Sequence, residues 1–131
     1  MTMKFEIKRI VKAVDIDDLN HVNNVVYVKW MEEVAFEHWQ YLTKDHPLPA
    51  YIWVVVRHEI DYHKQAVLND EISAKTWVGK TIGFKSERHI EFYSKGKLLV
   101  TSKTIWGMLD AKTYKPIRIR ENVLNILQPF K

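Results

Sequence analysis

Between positions 15 and 33 the chain gathers Asp15, Asp17, Asp18, Asn20, His21, Asn23, Asn24, Glu32 and Glu33. A carboxylate can serve as general base or nucleophile, and an imidazole can orient water or donate to a carbonyl oxygen. The same stretch then turns into a helix. Tyr27, Trp30, Met31, Val34, Ala35, His38, Trp39 and Leu42 recur at three- and four-residue steps and make one apolar face. Asn23 and Asn24 stand where an N-cap belongs, with Lys44 near the far end and Pro47 beyond it. The first turn of a helix leaves N–H groups unpaired at the positive end of its dipole, which suits a developing oxyanion. A polar loop that delivers Asp17 to that end makes a candidate hydrolytic site. Asp15 and Asp18 compete with Asp17 and read as turn or surface groups.

The elements that must position this loop follow from periodicity. Phe5 to Val11 reads as a short strand. Thr43 to Ala50 is a loop, and Tyr51 to Val56 is continuously apolar, as in a strand covered on both faces. That strand continues with alternation through His58, Ile60 and Tyr62. Ile72, Ala74, Thr76 and Val78 share one face of the next strand, after a turn at Asn69-Asp70. Residues 79–83 read as a hairpin connection. Ser86, Arg88, Ile90 and Phe92 share a face of the strand after it, which ends in a tight turn at residues 94–97. Leu98, Val100, Ser102, Thr104, Trp106 and Met108 do the same in the longest strand. A turn at residues 110–114, Pro116 and a short helix over residues 121–127 close the chain. One helix cannot serve short parallel crossovers for five strands, so an antiparallel sheet wrapped on that helix, an α+β arrangement, is the economical solution. No repeat or linker divides residues 1–131, which reads as one domain.

The pattern Asp17-x-x-x-His21-Val22-Asn23-Asn24-x-x-Tyr27-x-x-x-x-Glu32-Glu33 resembles the signature of the hotdog-fold thioesterases. The nearest branches are the 4-hydroxybenzoyl-CoA thioesterase-like enzymes and the acyl-ACP thioesterases. The resemblance implies a hotdog fold and cofactor-free hydrolysis of an acyl-CoA or acyl-ACP thioester to acid and thiol. It also implies a homodimer, commonly a tetramer, with sites between subunits. Asp17 matches the base or nucleophile. His21 matches a residue that belongs to the site in the acyl-ACP branch and is dispensable in others. Asn24 is placed to offer its backbone N–H to the carbonyl, and Glu33 matches a glutamate near the site. Asn20, Asn23 and Tyr27 are the substrate-side candidates, with Asn23 also expected to cap the helix. Two departures stand out: Asn20 replaces a usual Gly, and Val34-Ala35 replaces a frequent Ala-Arg. Asn tolerates the left-handed region, so Asn20 can preserve the turn. Two other classes compete. A hotdog hydratase would place an Asn-Pro where this chain has Asn20-His21. A non-catalytic acyl-thioester binding module would not require Asp17.

Composition removes further classes. The chain has no cysteine, which excludes thiol nucleophiles and disulfides. No run of eighteen apolar residues suggests a membrane span, and the first residues carry no apolar segment of a signal peptide, so a cytoplasmic protein is expected. Residues 1–74 hold 8 Lys/Arg and 12 Asp/Glu, whereas residues 75–131 hold 12 and 4. The basic second half suits CoA phosphates or an acidic carrier protein, with Lys85, Arg88, Lys95 and Lys97 as candidate contacts. The basic residues are scattered and no nucleic-acid motif accompanies them. His58 and His63 are read as facing opposite sides of a strand, a poor geometry for a metal, and no metal or cofactor is expected. His38 reads as a core histidine. Trp30, Trp39, Trp53, Phe84 and Trp106 are candidates to shape an acyl tunnel.

Overall fold

The helix occupies Asn24–Thr43 (α1) in the computed structural model, which describes residues 4–127. At 1.5 Å per residue, twenty residues make a rod of about 30 Å. Asn23 caps it, its side chain accepting from Val25 N–H at 3.0 Å. At the other end Thr43 Oγ1 donates to Trp39 O at 2.8 Å, and Pro47 stands in the loop beyond. Tyr27, Trp30, Met31, Val34, Ala35 and His38 are buried, while Trp39 and Leu42 are half-buried.

Five strands form one antiparallel sheet: β1 (Phe5–Ile10), β2 (Tyr51–Tyr62), β3 (Glu71–Ile82), β4 (Lys85–Ser94) and β5 (Lys97–Asp110). Their order is β1-β3-β4-β5-β2, so β1 and β2 are the edges. A short helix, α2 (Glu121–Leu127), follows. This is the α+β hotdog arrangement that the resemblance implies: one long helix packed on a five-stranded antiparallel sheet. The β4–β5 turn places Lys95 at φ 51 and Gly96 at φ 74, the pair of positive angles a two-residue hairpin requires.

Three expectations need correction. Residues 79–82 belong to β3, and the turn is Gly83-Phe84. A register shift between Val78 and Thr81 takes up one extra residue, so the strand survives Gly79 as a bulge. In β5 a second shift opposite Phe92 and Tyr93 puts Leu99 rather than Leu98 in the core. Finally, β2 is not covered on both faces by the described residues. Among them it pairs with β5 alone, and Val54, Val55 and Val56 are 37%, 37% and 47% exposed.

The interior has two apolar clusters. Tyr27, Trp30, Met31 and Val34 pack with Ile72, Ile90, Phe92 and Val100 under the first half of α1. Trp39 and Leu42 pack with Val78, Met108, Ile119 and Val123 under the second. Full burial of such side chains is worth roughly 1.5–3 kcal/mol each. The inward faces of β3, β4 and β5 also carry a polar band of Thr76, Ser86, Arg88, Ser102 and Thr104, all buried.

Candidate functional site

The loop before α1 is closed by its own backbone. Ile16 and Val22 form an antiparallel bridge, Asp17 N–H donates to His21 O at 2.9 Å, and Asn23 N–H donates to Asp15 O at 2.9 Å. Val22 N–H reaches Ala66 O at 3.0 Å, which ties the loop to the segment after β2. Asn20 sits at φ 63, the left-handed conformation in which the resemblance expects glycine. Asn is among the few side chains that take this angle at low cost.

Asp17 is half-buried inside this closure. Its Oδ1 accepts from Leu19 N–H at 2.9 Å and from His21 N–H at 3.3 Å. These bonds hold the carboxylate by one oxygen. Its Oδ2 takes no hydrogen bond from a described residue. The His21 ring is half-buried and also has no side-chain bond among the described residues. At the helix start, Val25 and Val26 N–H are bonded to Asn23, whereas Asn24 N–H has no acceptor among the described residues. Asp17, His21 and Asn24 therefore share one short, braced segment. Leu19 and Val25 beside them are 72% and 71% exposed, an apolar rim around polar groups.

Apart from Asn20 and Asn23, which belong to the loop itself, the other candidates lie elsewhere. Glu33 does not join this cluster within the chain. Arg9 holds its Oε1 at 3.3 Å, Lys29 stands 4.0 Å from Oε2, and Glu33 lies about 14 Å along the axis from Asn24 at the helical rise. Arg9 also donates to Glu37 at 2.7 Å, so this is a clamp between β1 and α1. Glu32 is exposed. Tyr27 is a core residue, ringed by Trp30, Tyr62 and Phe92 at 5.5, 5.9 and 5.2 Å between centroids. Burial first, then Tyr62 and Asp70, pushes its phenol up to about 12. Asn23 acts as the cap. Lys85 is exposed, its Nζ 5.6 Å from the Phe84 ring centre.

Arg88 corrects the surface expectation. It is buried, and Nη1 donates to His38 Nδ1 at 2.8 Å and to Thr76 Oγ1 at 3.0 Å. Beside it lies a cavity of about 520 Å³ between the second half of α1 and the sheet, walled by Trp39, Trp53, Trp106 and Arg88 among others. Ligand cavities run about 300–1,000 Å³. A larger hollow of about 820 Å³ opens between β1, the end of α1 and α2. Neither is lined by Asp17. His58 Nδ1 lies 2.8 Å from Thr104 Oγ1, and His63, beyond the end of β2, lies 2.9 Å from Thr101 Oγ1. No group of metal-ligating side chains occurs among the described residues. No helix among them is long and apolar enough to cross a membrane.

With this geometry in view, comparison with known proteins is direct. The chain belongs to the acyl-ACP thioesterase family: the model of that family's N-terminal domain matches residues 2–127. It is 26% identical over 80 residues to the palmitoyl-acyl carrier protein thioesterase, chloroplastic, of Cuphea hookeriana, covering 60% of this chain and 19% of that protein. The chain thus spans about a fifth of the length of the curated relatives it matches. Among solved structures it is similar to a predicted thioesterase from Bacillus stearothermophilus, with TM-score 0.85 and 18% identity over 95% of this chain and 94% of the other. It is also similar to a thioesterase complexed with coenzyme A and Zn from Thermus thermophilus, with TM-score 0.80 and 21% identity over 93% and 90%. At these identities the likeness establishes the hotdog fold.

Proposed function

We propose that this chain hydrolyses acyl thioesters of CoA or acyl carrier protein, with Asp17 as the base or nucleophile. The observation that carries the reading is the state of Asp17: one oxygen is fixed by two backbone N–H groups and the other is open. It sits in the same braced segment as the N–H of Asn24, which has no acceptor among the described residues. The family and the named activities of the relatives support the class of reaction.

A thioester carbonyl with its oxygen at Asn24 N–H would gain charge stabilisation at the positive end of α1. Asp17 Oδ2 takes a proton from water as the water oxygen adds to the carbonyl carbon. The tetrahedral oxyanion then collapses, the C–S bond breaks, and the thiolate leaves and is protonated. In the nucleophilic variant Asp17 itself adds, thiolate leaves, and water hydrolyses the mixed anhydride. In this reading His21 orients water or donates to the carbonyl oxygen. Asn20 and Asn23 shape the loop, while Tyr27 supports it from the core.

The chain acts as a homodimer in this reading. The outer edge of β2 pairs with no other strand among the described residues, and three consecutive valines are exposed there. Pairing with the same strand of a second copy would satisfy the edge.

Asp17→Asn tests the reading. The variant should fold normally and lose hydrolysis by roughly a hundred-fold or more. Near-wild-type turnover would remove Asp17 from the chemistry. In a single turnover in heavy-oxygen water, label found in Asp17 would identify it as the nucleophile, since water then opens the mixed anhydride at the Asp17 carbonyl.

A further inference from the structure

Arg88 is a buried cation without an anionic partner among the described residues. It forms no ion pair with any carboxylate among the described residues, and its two acceptors, His38 Nδ1 and Thr76 Oγ1, are both neutral groups. Removing a guanidinium from water is costly unless an anion compensates it. A guanidinium has five N–H donors. Both of these bonds use Nη1, which leaves Nε and Nη2 without an acceptor among the described residues. That edge of the fork is suited to a carboxylate, which it grips with two parallel bonds. Burial, with no carboxylate to offset it, lowers the Arg88 pKa to about 10, so the side chain still carries its charge at neutral pH.

A second observation is independent of Arg88. Trp53 and Trp106 stand in the wall of the same 520 Å³ cavity, and each has a buried indole N–H with no acceptor among the described residues. Most buried donors in proteins are satisfied, so two orphans beside one unpaired cation call for an explanation. All three groups are donors and none can accept. The rest of the wall is mostly apolar, with Ala35, Phe36, Trp39 and Val78, together with the Ser86 hydroxyl and, on the exposed side of α1, the Glu32 carboxylate.

We propose that this cavity receives the far end of the acyl group and selects acyl chains that end in a carboxylate, so that the preferred substrates are half-thioesters of dicarboxylic acids. The inference rests on the thioesterase reading and names its substrate class. The apolar wall takes the methylene chain, and Arg88 Nε and Nη2 take the terminal carboxylate. A site built to bond a polar group strongly rejects the analogue that lacks it, because its own donors are then left unpaired. A purely structural Arg88, pinning α1 to β4 through His38, would not discriminate between such substrates.

The test uses N-acetylcysteamine thioesters, which carry no phosphate and so remove any contribution from CoA. Hexanoyl is compared with its adipoyl counterpart, and dodecanoyl with dodecanedioyl. The quantity read is the ratio of kcat/KM for the charged member to that for the uncharged member. In the wild type this ratio should exceed about ten in at least one pair, since one well-placed charged contact is worth at least that much. Arg88→Met should bring the ratio below one, and Arg88→Lys should keep a reduced preference. The lysine variant also serves if the methionine variant does not fold. A wild-type preference for the uncharged member of both pairs would overturn the proposal, as would a preference that survives Arg88→Met. If none of the four compounds is hydrolysed, the thioesterase reading fails instead. Binding of the same compounds, followed by quenching of tryptophan fluorescence, then decides the cavity by itself. Tighter binding of the charged members that depends on Arg88 supports it, and equal binding overturns it.

Discussion

Arg88 Nη1 donates to His38 Nδ1 at 2.8 Å across the contact between α1 and β4, and this bond determines the state of the imidazole. An arginine has no lone pair to offer, so Nδ1 must be the acceptor and the ring proton sits on Nε2. The ring stacks on Phe5 at 4.9 Å and is 5% exposed. Burial, reinforced by the charge of Arg88, lowers its pKa to about 3.

A pH dependence of stability follows. In the unfolded chain His38 takes up a proton near its ordinary value of 6.5, and in the fold only near 3. Between those values the unfolded state holds the extra proton, so stability is full above pH 6.5 and declines as pH falls toward 3. One proton limits the slope to about 1.4 kcal/mol per pH unit. Urea midpoints of the wild type and His38→Gln, measured from about pH 7 to about pH 4, should diverge in slope, with the variant flatter. Parallel slopes would show that His38 does not titrate with unfolding.

The turn at Asn20 gives a backbone prediction. Its φ of 63 is open to Asn and Gly and strained for a β-branched residue. Asn20→Gly should leave stability within about 1 kcal/mol and preserve activity. Asn20→Val should cost roughly 1–2 kcal/mol and lower kcat, because it distorts the turn that aims Leu19 and His21 N–H at Asp17. Equal behaviour of the two variants in denaturation and turnover would mean that the turn does not brace the carboxylate.

How much of this was legible in the sequence differs from residue to residue. The stripe from Tyr27 to Leu42 and the alternation through Ile72 to Val78 marked the helix and β3, because burial of one face imposes a period. The same alternation put Arg88 in phase with Ser86, Ile90 and Phe92, and the structure buries all four. Reading Arg88 as a surface cation gave weight to its charge over its phase. In a strand the phase prevails, since shifting one residue would turn the whole row outward. The bulges at residues 78–81 and opposite Phe92 left no signal in single-residue patterns, because they depend on the partner strand. The bracing of Asp17 was legible only in part. An Asp that accepts from the N–H two residues on makes an ordinary turn, whereas the backbone bonds to Asp15 and Ala66 that close the loop are not encoded by spacing within the motif. The apolar run Tyr51 to Val56 was read as covered on both faces, and the chain covers it only in part.

That run carries the next prediction. Val55 lies opposite Trp106 on the outermost strand and is 37% exposed. Sedimentation should find the wild type dimeric at micromolar concentration. Val55→Glu should shift it to monomer by placing two like charges near the shared edge, and activity should fall with the dimer. A monomeric wild type with full turnover would remove the second copy from the proposal.

Charge on the second half of the chain carries the last one. Lys85, Lys95 and Lys97 are exposed around the two ends of β4, whereas Arg88 lies inside. If the carrier portion of the substrate is drawn by these lysines, the attraction is screened by salt. The Debye length falls from about 10 Å at 0.1 M to about 3 Å at 1 M. KM for acyl-CoA or acyl carrier protein should then rise with ionic strength while kcat changes little, because these groups lie apart from the reacting carbonyl. Lys85→Glu combined with Lys97→Glu should raise KM at low salt and flatten its salt dependence. N-acetylcysteamine thioesters with uncharged acyl chains lack the phosphates and should show neither effect. A KM indifferent to salt with both carriers would mean that the basic residues are an ordinary solvated surface and that recognition of the thioester rests on its acyl end.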